Sequence, residues 1–324
     1  MANGVQSLID KEIPVRVLEM RYEASTILSI EVRPLDGSKL PAFVAGAHID
    51  LILADDLRRS YSLCRPYGDG KSYTVAVHKD PESRGGSRYV HETLRPGDKI
   101  RISAPKNNFP LKEDAEKSVF IAGGIGITPI LCMLWRLTEL GRSWDLHYAA
   151  RSRSAAAFLD EIAAIADHGN VVFHFDDEKG GARFDIGTVI SASPKAHFYC
   201  CGPEPMLAAY EQAGRAVERT QVHVEYFAST QEAARDGGFE IVLDRSGMVL
   251  EVPAGKSILD VLIENKVNVP FSCADGVCGT CKTRVLEGRP DHRDSILTDE
   301  ERAAGDTMMV CCSGSKTARL VLDL

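Results

Sequence analysis

Three cysteines within the stretch Phe271-Ser-Cys273-Ala-Asp-Gly276-Val-Cys278-Gly279-Thr-Cys281 constrain this chain more than any other feature. Their spacing is C-x4-C-x2-C, and Cys311 follows about thirty residues later, behind the apolar run Met308-Met309-Val310. A chain built this way must bend one loop sharply and bring a separate segment against it. Gly276 and Gly279 supply the backbone freedom for the bend. This is the spacing of plant-type [2Fe–2S] ligands, in which each iron takes two thiolates. Loop amides are then expected to point at the sulfurs. A zinc site usually shows two C-x2-C pairs, and here there is one. The N-terminal stretch has no apolar h-region, which argues against a secreted, disulfide-bonded set. Cys312 adjoins the fourth ligand. Strand alternation lets only one of the two face a cluster, and Cys311 is taken as the ligand.

A chain of 324 residues is too long for one typical core and predicts two or three domains. The net charge of −8 argues against nucleic acid and anionic membrane as partners. No apolar run reaches bilayer-spanning length. Nine cysteines without a leader fit a reducing cytoplasm. Cys64, Cys132, Cys200 and Cys312 read as small buried apolar residues.

Periodicity divides the chain. Residues 1–112 alternate in short runs, Ile13–Leu18, Ser25–Val32, His48–Leu53, Tyr73–His78 and Lys99–Ser103, with turn clusters between them. That pattern predicts an antiparallel β-barrel. Residues 113–228 alternate strand and helix, which predicts a doubly wound α/β domain with a parallel sheet. Its strands are Val119–Ala122, Asp145–Ala150, Val171–Phe175 and His197–Cys201. Residues 229–238 are polar with a glycine pair and read as a linker. Residues 239–324 read as a small α+β unit, with a hairpin from Phe239–Leu243 and Met248–Val252, a helix capped by Ser257, and a closing strand Leu320–Leu324. Asp299-Glu300-Glu301 reads as an exposed helix start.

Three further motifs carry chemistry. Val119–Ala122 runs into Gly123-Gly124-Ile-Gly126-Ile-Thr128-Pro129, a strand-to-helix turn whose N–H groups suit a pyrophosphate, with Thr128 expected to cap the helix and Pro129 to open it. Cys201-Gly202-Pro203 sits at the end of a strand, where open α/β sheets bind ligands. In Arg59-Ser60-Tyr61-Ser62, Arg59 and Tyr61 share a strand face and can act as phosphate clamp and flat aromatic surface. Arg84-Gly85-Gly86-Ser87 precedes a helical stretch and offers a second phosphate cradle.

In this order the motifs resemble the ferredoxin–NAD(P)H reductase superfamily with a fused C-terminal ferredoxin, and within it the phthalate dioxygenase reductase and vanillate O-demethylase reductase group. The resemblance covers nearly the whole chain. It implies a β-grasp fold for the cluster domain and a flavin, FMN in this group. Arg59, Gly85, Gly86 and Ser87 would hold the phosphate, Tyr61 would pack on the ring, Ser62 would lie near N5, and Ser60 would be a further cofactor-binding residue. Ala76, Val77 and His78 would border the flavin. Gly124, Gly126 and Thr128 would line the NADH pyrophosphate, with Cys201, Gly202 and Pro203 near the nicotinamide and Phe227 near the flavin. Arg151 and Arg153 could face a 2′-phosphate, although the resemblance favours NADH over NADPH.

The expected function is a reductase that passes electrons from NADH through FMN and the [2Fe–2S] cluster to a Rieske-type oxygenase, in a monomer. A cytochrome P450 acceptor is the alternative. A redox sensor is disfavoured, because it would not need both a hydride-accepting site and a flavin clamp. The sequence shows no general acid–base pair.

Overall fold

The computed structural model describes residues 12–54, 57–83, 85–178, 184–229 and 231–324. The chain divides into two compact units, with the boundary between Glu225 and Tyr226.

The first unit opens with strands β1 (Ile13–Ala24), β2 (Ile27–Pro34), β3 (Ala47–Ala54), β4 (Leu57–Ser62) and β5 (Tyr73–His78), helix α1 (Gly86–Glu92), and strands β6 (Lys99–Ile102) and β7 (Lys106–Asn107). They form an antiparallel sheet in the order β4-β3-β6-β1-β2-β5, with β7 paired to β3. The ends of the sheet meet at the bridge Leu63↔Val75 and at the bond from Cys64 N–H to Thr74 O (3.0 Å), which closes the barrel. The inward residues of its strands, among them Val15, Val17, Ile30, Ile49, Leu51 and Val75, form one apolar core. Period-2 alternation on strands with one buried face gives that core directly.

The same unit continues through β8 (Lys117–Gly123), α2 (Ile127–Glu139), β9 (Ser143–Ala150), α3 (Leu159–Ile165), β10 (Gly169–Phe175), α4 (Ile186–Ser191), β11 (His197–Cys201), α5 (Glu204–Gly214) and β12 (Val222–Glu225). The five strands are parallel in the order β10-β9-β8-β11-β12. The first strand, β8, therefore lies centrally, where the winding reverses and ligands bind in such sheets. Arg65, just past the barrel strand β4, pairs with Glu161 of α3 at 2.6 Å, and Lys112 N–H donates to the Tyr199 hydroxyl at 2.8 Å. These bonds tie barrel to parallel sheet.

The second unit contains β13 (Phe239–Leu243), β14 (Met248–Val252), α6 (Ile258–Glu264), β15 (Lys282–Glu287), β16 (Pro290–Asp291), α7 (Asp299–Ala304), β17 (Thr307–Met309), β18 (Gly314–Ser315) and β19 (Arg319–Leu322). Its main sheet runs β14-β13-β19-β15-β17, with β13 and β19 parallel and the other pairs antiparallel. Helix α6 packs its Ile258, Leu259, Val261 and Leu262 into the same core, which is the β-grasp arrangement. Ser257 caps it through Asp260 N–H, and Asp260 returns the bond to Ser257 N–H. Residues Asp299 to Glu301 form the first turn of α7, capped by Thr298. Ala233 packs against the core of this unit and Ala234 N–H donates to Cys312 O at 2.8 Å.

The start of α2 differs from expectation. The glycine turn closes as a 3-10 segment over Gly124–Gly126, and the helix begins at Ile127 with Gly126 as N-cap. Thr128 is thus already helical, and its hydroxyl donates back to Ile125 O at 2.9 Å rather than capping. Pro129 lies two positions past the first residue of the helix. The physical reason is the positive φ of Gly124, which tightens the turn and starts the helix early.

Candidate functional site

In the barrel, β4 and β5 are bridged at Leu63/Val75, at the Ser62 end of β4. Toward the start of β4, α1 meets both strands. Arg59 lies across Gly86: a Cβ on that glycine would meet Arg59 Cγ at 2.5 Å. Gly85, with φ 94, precedes the helix and needs the glycine backbone. The structure thus brings the Arg59 side chain and the Gly85-Gly86 turn together. Arg84 lies outside the described residues. Ser87 Oγ accepts from Asp80 N–H at 3.2 Å, and the Val77 carbonyl meets His91 Nε2 at 3.0 Å, which fixes α1 to the end of β5. Ala76 and Val77 are buried and His78 is exposed. Tyr61 is half-buried against the barrel core, and burial pushes its phenol up to about 12.

Ser60 is separated from this face. Strand alternation turns it the other way, and its hydroxyl donates to the buried carboxylate of Asp50 at 2.8 Å. Arg58 and Lys106 also approach Asp50, at 3.7 and 3.4 Å. The Ser60 side chain is therefore turned away from the face that Arg59 and Tyr61 share, and a cofactor contact through its hydroxyl is not what the structure shows.

Ser62 ends β4 and is buried. Its hydroxyl hydrogen-bonds the carboxyl of Glu225, the last residue of β12. Glu225 is the register partner of Cys201 on the neighbouring strand β11. Ser62, Glu225 and Cys201 therefore meet where barrel and parallel sheet join. Glu225 Oε2 is buried and has no hydrogen-bond partner among the described residues. Burial pushes the carboxyl up to about 8, against a smaller opposing effect of the Ser62 bond. Burial, followed by the neighbouring Glu225, holds the Cys201 thiol well above its ordinary range, so it is neutral. Sequence reasoning missed Glu225. Its only signal was its place beside Tyr226-Phe227 at the end of a strand.

The dinucleotide turn is tightly constructed. A Cβ on Gly126 would overlap the Cys201 carbonyl, and one on Gly123 would meet Pro203 Cδ at 2.6 Å. The turn after β8 therefore lies against Cys201-Gly202-Pro203 at the end of β11. Gly124 has open space where a side chain would stand. At the end of β9, Arg151 is exposed, while Arg153 lies 4.9 Å over the Phe175 ring and 3.8 Å from Glu178. Asp176 and Asp177 continue β10, their amides bonded to Ala150 O and Arg151 O. Phe227 is 41% exposed and falls past the boundary of the first unit.

In the second unit the four cysteines converge and are all buried. The Cys273 thiol hydrogen-bonds Cys278 and Cys311, and Cys281 hydrogen-bonds Cys311. These bonds hold Cys273 and Cys281 below the ordinary thiol range. The Asp275 and Val277 amides add to the effect on Cys273, the former at 3.3 Å. Gly276 and Gly279 have φ 74 and 72, and Ala274 shares the same left-handed backbone at 56. Among the described residues no three His, Cys, Asp or Glu groups are arranged around a single metal ion. The thiols touch pairwise, which suits a binuclear cluster with two thiolates per iron. Amide N–H donors aimed at sulfur complete the fit. Cys311 and Cys312 lie on a turn after β17 rather than on a strand. The turn, not strand alternation, separates them: Cys311 meets Cys273 and Cys281, whereas Cys312 packs beneath Gly276 and contacts Met309 O at 3.8 Å. The Cys311 and Cys312 thiols also touch each other.

Comparison with known proteins agrees with this division. Residues 120–212 match the oxidoreductase NAD-binding domain family, and residues 241–315 the 2Fe-2S iron-sulfur cluster binding domain family. The chain is 48% identical over 313 residues to the phenoxybenzoate dioxygenase subunit beta of Ectopseudomonas oleovorans, covering 96% of this chain and 97% of that one. The solved structure of phthalate dioxygenase reductase, described as modular for electron transfer from pyridine nucleotides to [2Fe-2S], matches with a TM-score of 0.75 and 38% identity over 97% of this chain and 98% of that one. An intact type IV self-sufficient cytochrome P450 monooxygenase matches with a TM-score of 0.85 and 39% identity. The chain covers 97% of itself in that match but spans only 41% of the P450 chain.

Proposed function

The chain belongs to the phthalate dioxygenase reductase family, and from that premise we propose that it is the NADH-dependent reductase of a Rieske-type oxygenase system. The observation that carries this reading is the coexistence in one chain of the Arg59/Gly85-Gly86 cradle, the Gly126/Cys201 turn and four converging thiols. A bound flavin would accept hydride from NADH as a pair of electrons, and a [2Fe–2S] cluster would take them singly.

The chain's own residues bind and orient. Arg59 and the Gly85-Gly86 turn, with Ser87, hold a phosphate, and the short cradle suits FMN. Tyr61 offers its ring face to the flavin and Ala76–His78 border it. Gly124 and Gly126 let the dinucleotide backbone approach the start of α2, and Cys201 presents a neutral thiol to the nicotinamide. Ser62 and Glu225 can hold a proton at Oγ and at the carboxyl, because burial keeps Glu225 protonated near neutral pH. Cys273, Cys278, Cys281 and Cys311 hold the cluster. The acidic end of β10, Asp176 and Asp177, favours a ribose 2′-hydroxyl over a 2′-phosphate, while Arg153 is engaged by Phe175 and Glu178. The three functional segments are 12–112 for flavin, 113–228 for NADH and 239–324 for the cluster, in a cytoplasmic monomer. Among the described residues no helix is long and apolar enough to cross a membrane.

A cytochrome P450 acceptor is the second reading, favoured by the likeness to the self-sufficient monooxygenase. The test is direct. Purified chain should release FMN on denaturation, contain iron and acid-labile sulfide, and show higher kcat/KM with NADH than with NADPH. It should reduce a Rieske oxygenase faster than a P450. Absence of flavin or of sulfide would overturn the proposal.

A further inference from the structure

Beneath the cysteine loop lies a buried charge that plays no part in binding flavin, NADH or iron. Asp294 is fully buried, yet its carboxylate is only partly satisfied. Oδ2 accepts from Ile296 N–H (3.1 Å) and Leu297 N–H (2.8 Å), while Oδ1 is buried without a hydrogen-bond partner among the described residues. Two titratable or charged groups face it. His292 Nδ1 stands 3.9 Å from Oδ1, and burial pushes that imidazole below its ordinary range, so it leaves the negative charge uncancelled. Arg302 Nη2 stands 3.8 Å from Oδ2 and donates to Asp294 O, and its Nε donates to Leu297 O at 3.1 Å. Lys316, just past β18, adds a positive charge that acts on His292.

This cluster touches the bend of the cysteine loop. Ser295 N–H donates to Gly276 O at 3.0 Å. A Cβ on Gly276 would meet Cys312 Sγ at 2.5 Å and Asp294 Cα and Cβ at 3.1 and 3.3 Å. Gly276 is thus clamped between Cys312 and the Asp294 backbone, midway between Cys273 and Cys278. Arg302 is 28% exposed and solvent screens its charge, whereas Asp294 has no exposure at all. Of this ion pair the carboxylate is the fully buried member, so its field is the less screened at the loop.

We propose that Asp294 is a positioning residue for the iron–sulfur loop, holding its bend at Gly276 and adding a buried negative charge that makes the cluster harder to reduce. The proposal rests on the assignment of the four thiols to a [2Fe–2S] cluster.

The test uses the full, cluster-loaded chain and reads iron and sulfide content, the cluster's midpoint potential and the EPR signal of its reduced form. Asp294→Asn keeps an oxygen for the Ile296 and Leu297 amides and removes the charge. It should retain the cluster and move the one-electron equilibrium toward the reduced form on the order of tenfold, an upward shift of about 59 mV. Arg302→Gln should shift it downward. Asp294→Ala loses acceptor as well as charge and should hold less iron and give an altered EPR signal. A loaded wild type together with an unmoved potential in Asp294→Asn overturns this proposal alone. A wild type without iron and sulfide overturns the cluster assignment itself, and this proposal with it.

Discussion

Replacing Glu225 with Gln should remove a pH dependence of stability that is confined to the first unit. Glu225 ends β12 with a buried Oε2 that has no partner among the described residues, and burial raises its carboxyl from the ordinary 4.5 to about 8. Between those values the unfolded chain has lost a proton that the folded chain keeps. The contribution to stability is therefore fully present below about pH 4.5 and is lost as pH rises through about 8. Each pH unit crossed in this window costs the folded state about 1.4 kcal/mol. The wild type should therefore lose about 3 kcal/mol between about pH 5 and pH 7.5 relative to Glu225→Gln. Both tryptophans, Trp135 and Trp144, lie in the first unit. Urea unfolding followed by tryptophan fluorescence therefore reports that unit without contribution from the second. The quantity to plot is the difference in unfolding free energy between wild type and variant against pH. A flat difference across this window would refute the reasoning, because it would mean that the carboxyl is as ionised in the folded chain as in the unfolded one.

Other substitutions test other contacts. Gly276→Ala combines a left-handed φ with overlap on Cys312 Sγ and should lose most of the bound iron and sulfide, measured after reconstitution. Gly126→Ala drives a methyl into the Cys201 carbonyl and should lower kcat/KM for NADH by at least about tenfold, roughly 1.4 kcal/mol of barrier, with flavin content little changed. Cys278→Ala should abolish reduction of the partner oxygenase while NADH oxidation by a dye that draws on the flavin persists; full onward transfer would remove the cluster from the path. Arg59→Gln should weaken flavin retention on gel filtration, because the guanidinium that lies over Gly86 supplies the cradle's positive charge for the phosphate.

Much of this protein is legible before it folds. The C-x4-C-x2-C loop places three cysteines within one bend, and a bend depends on neighbours in sequence, so glycine positions forecast it. The same holds for the glycine turn after β8, and for His197–Cys201 and Tyr73–His78, whose strand limits agree with the structure. A hydroxyl's choice between partners was not legible. Thr128 turned back to Ile125 O because the preceding 3-10 turn moved the helix start, and Ser60 turned to Asp50 across the strand pair.

By itself, then, the sequence determined the order of modules, the four thiols and the two glycine turns, since each rests on spacing within a short segment. The tertiary structure alone decided which distant groups share a low-dielectric space. Glu225 keeps its proton only because the register of β11 and β12 and the barrel beside them bury it, the Ser62 bond opposing the effect. Asp294 bears on the cluster loop only because Ser295 and Gly276 are bonded across the β-grasp unit. Burial and desolvation belong to the assembled interior, and no stretch of chain carries them in advance.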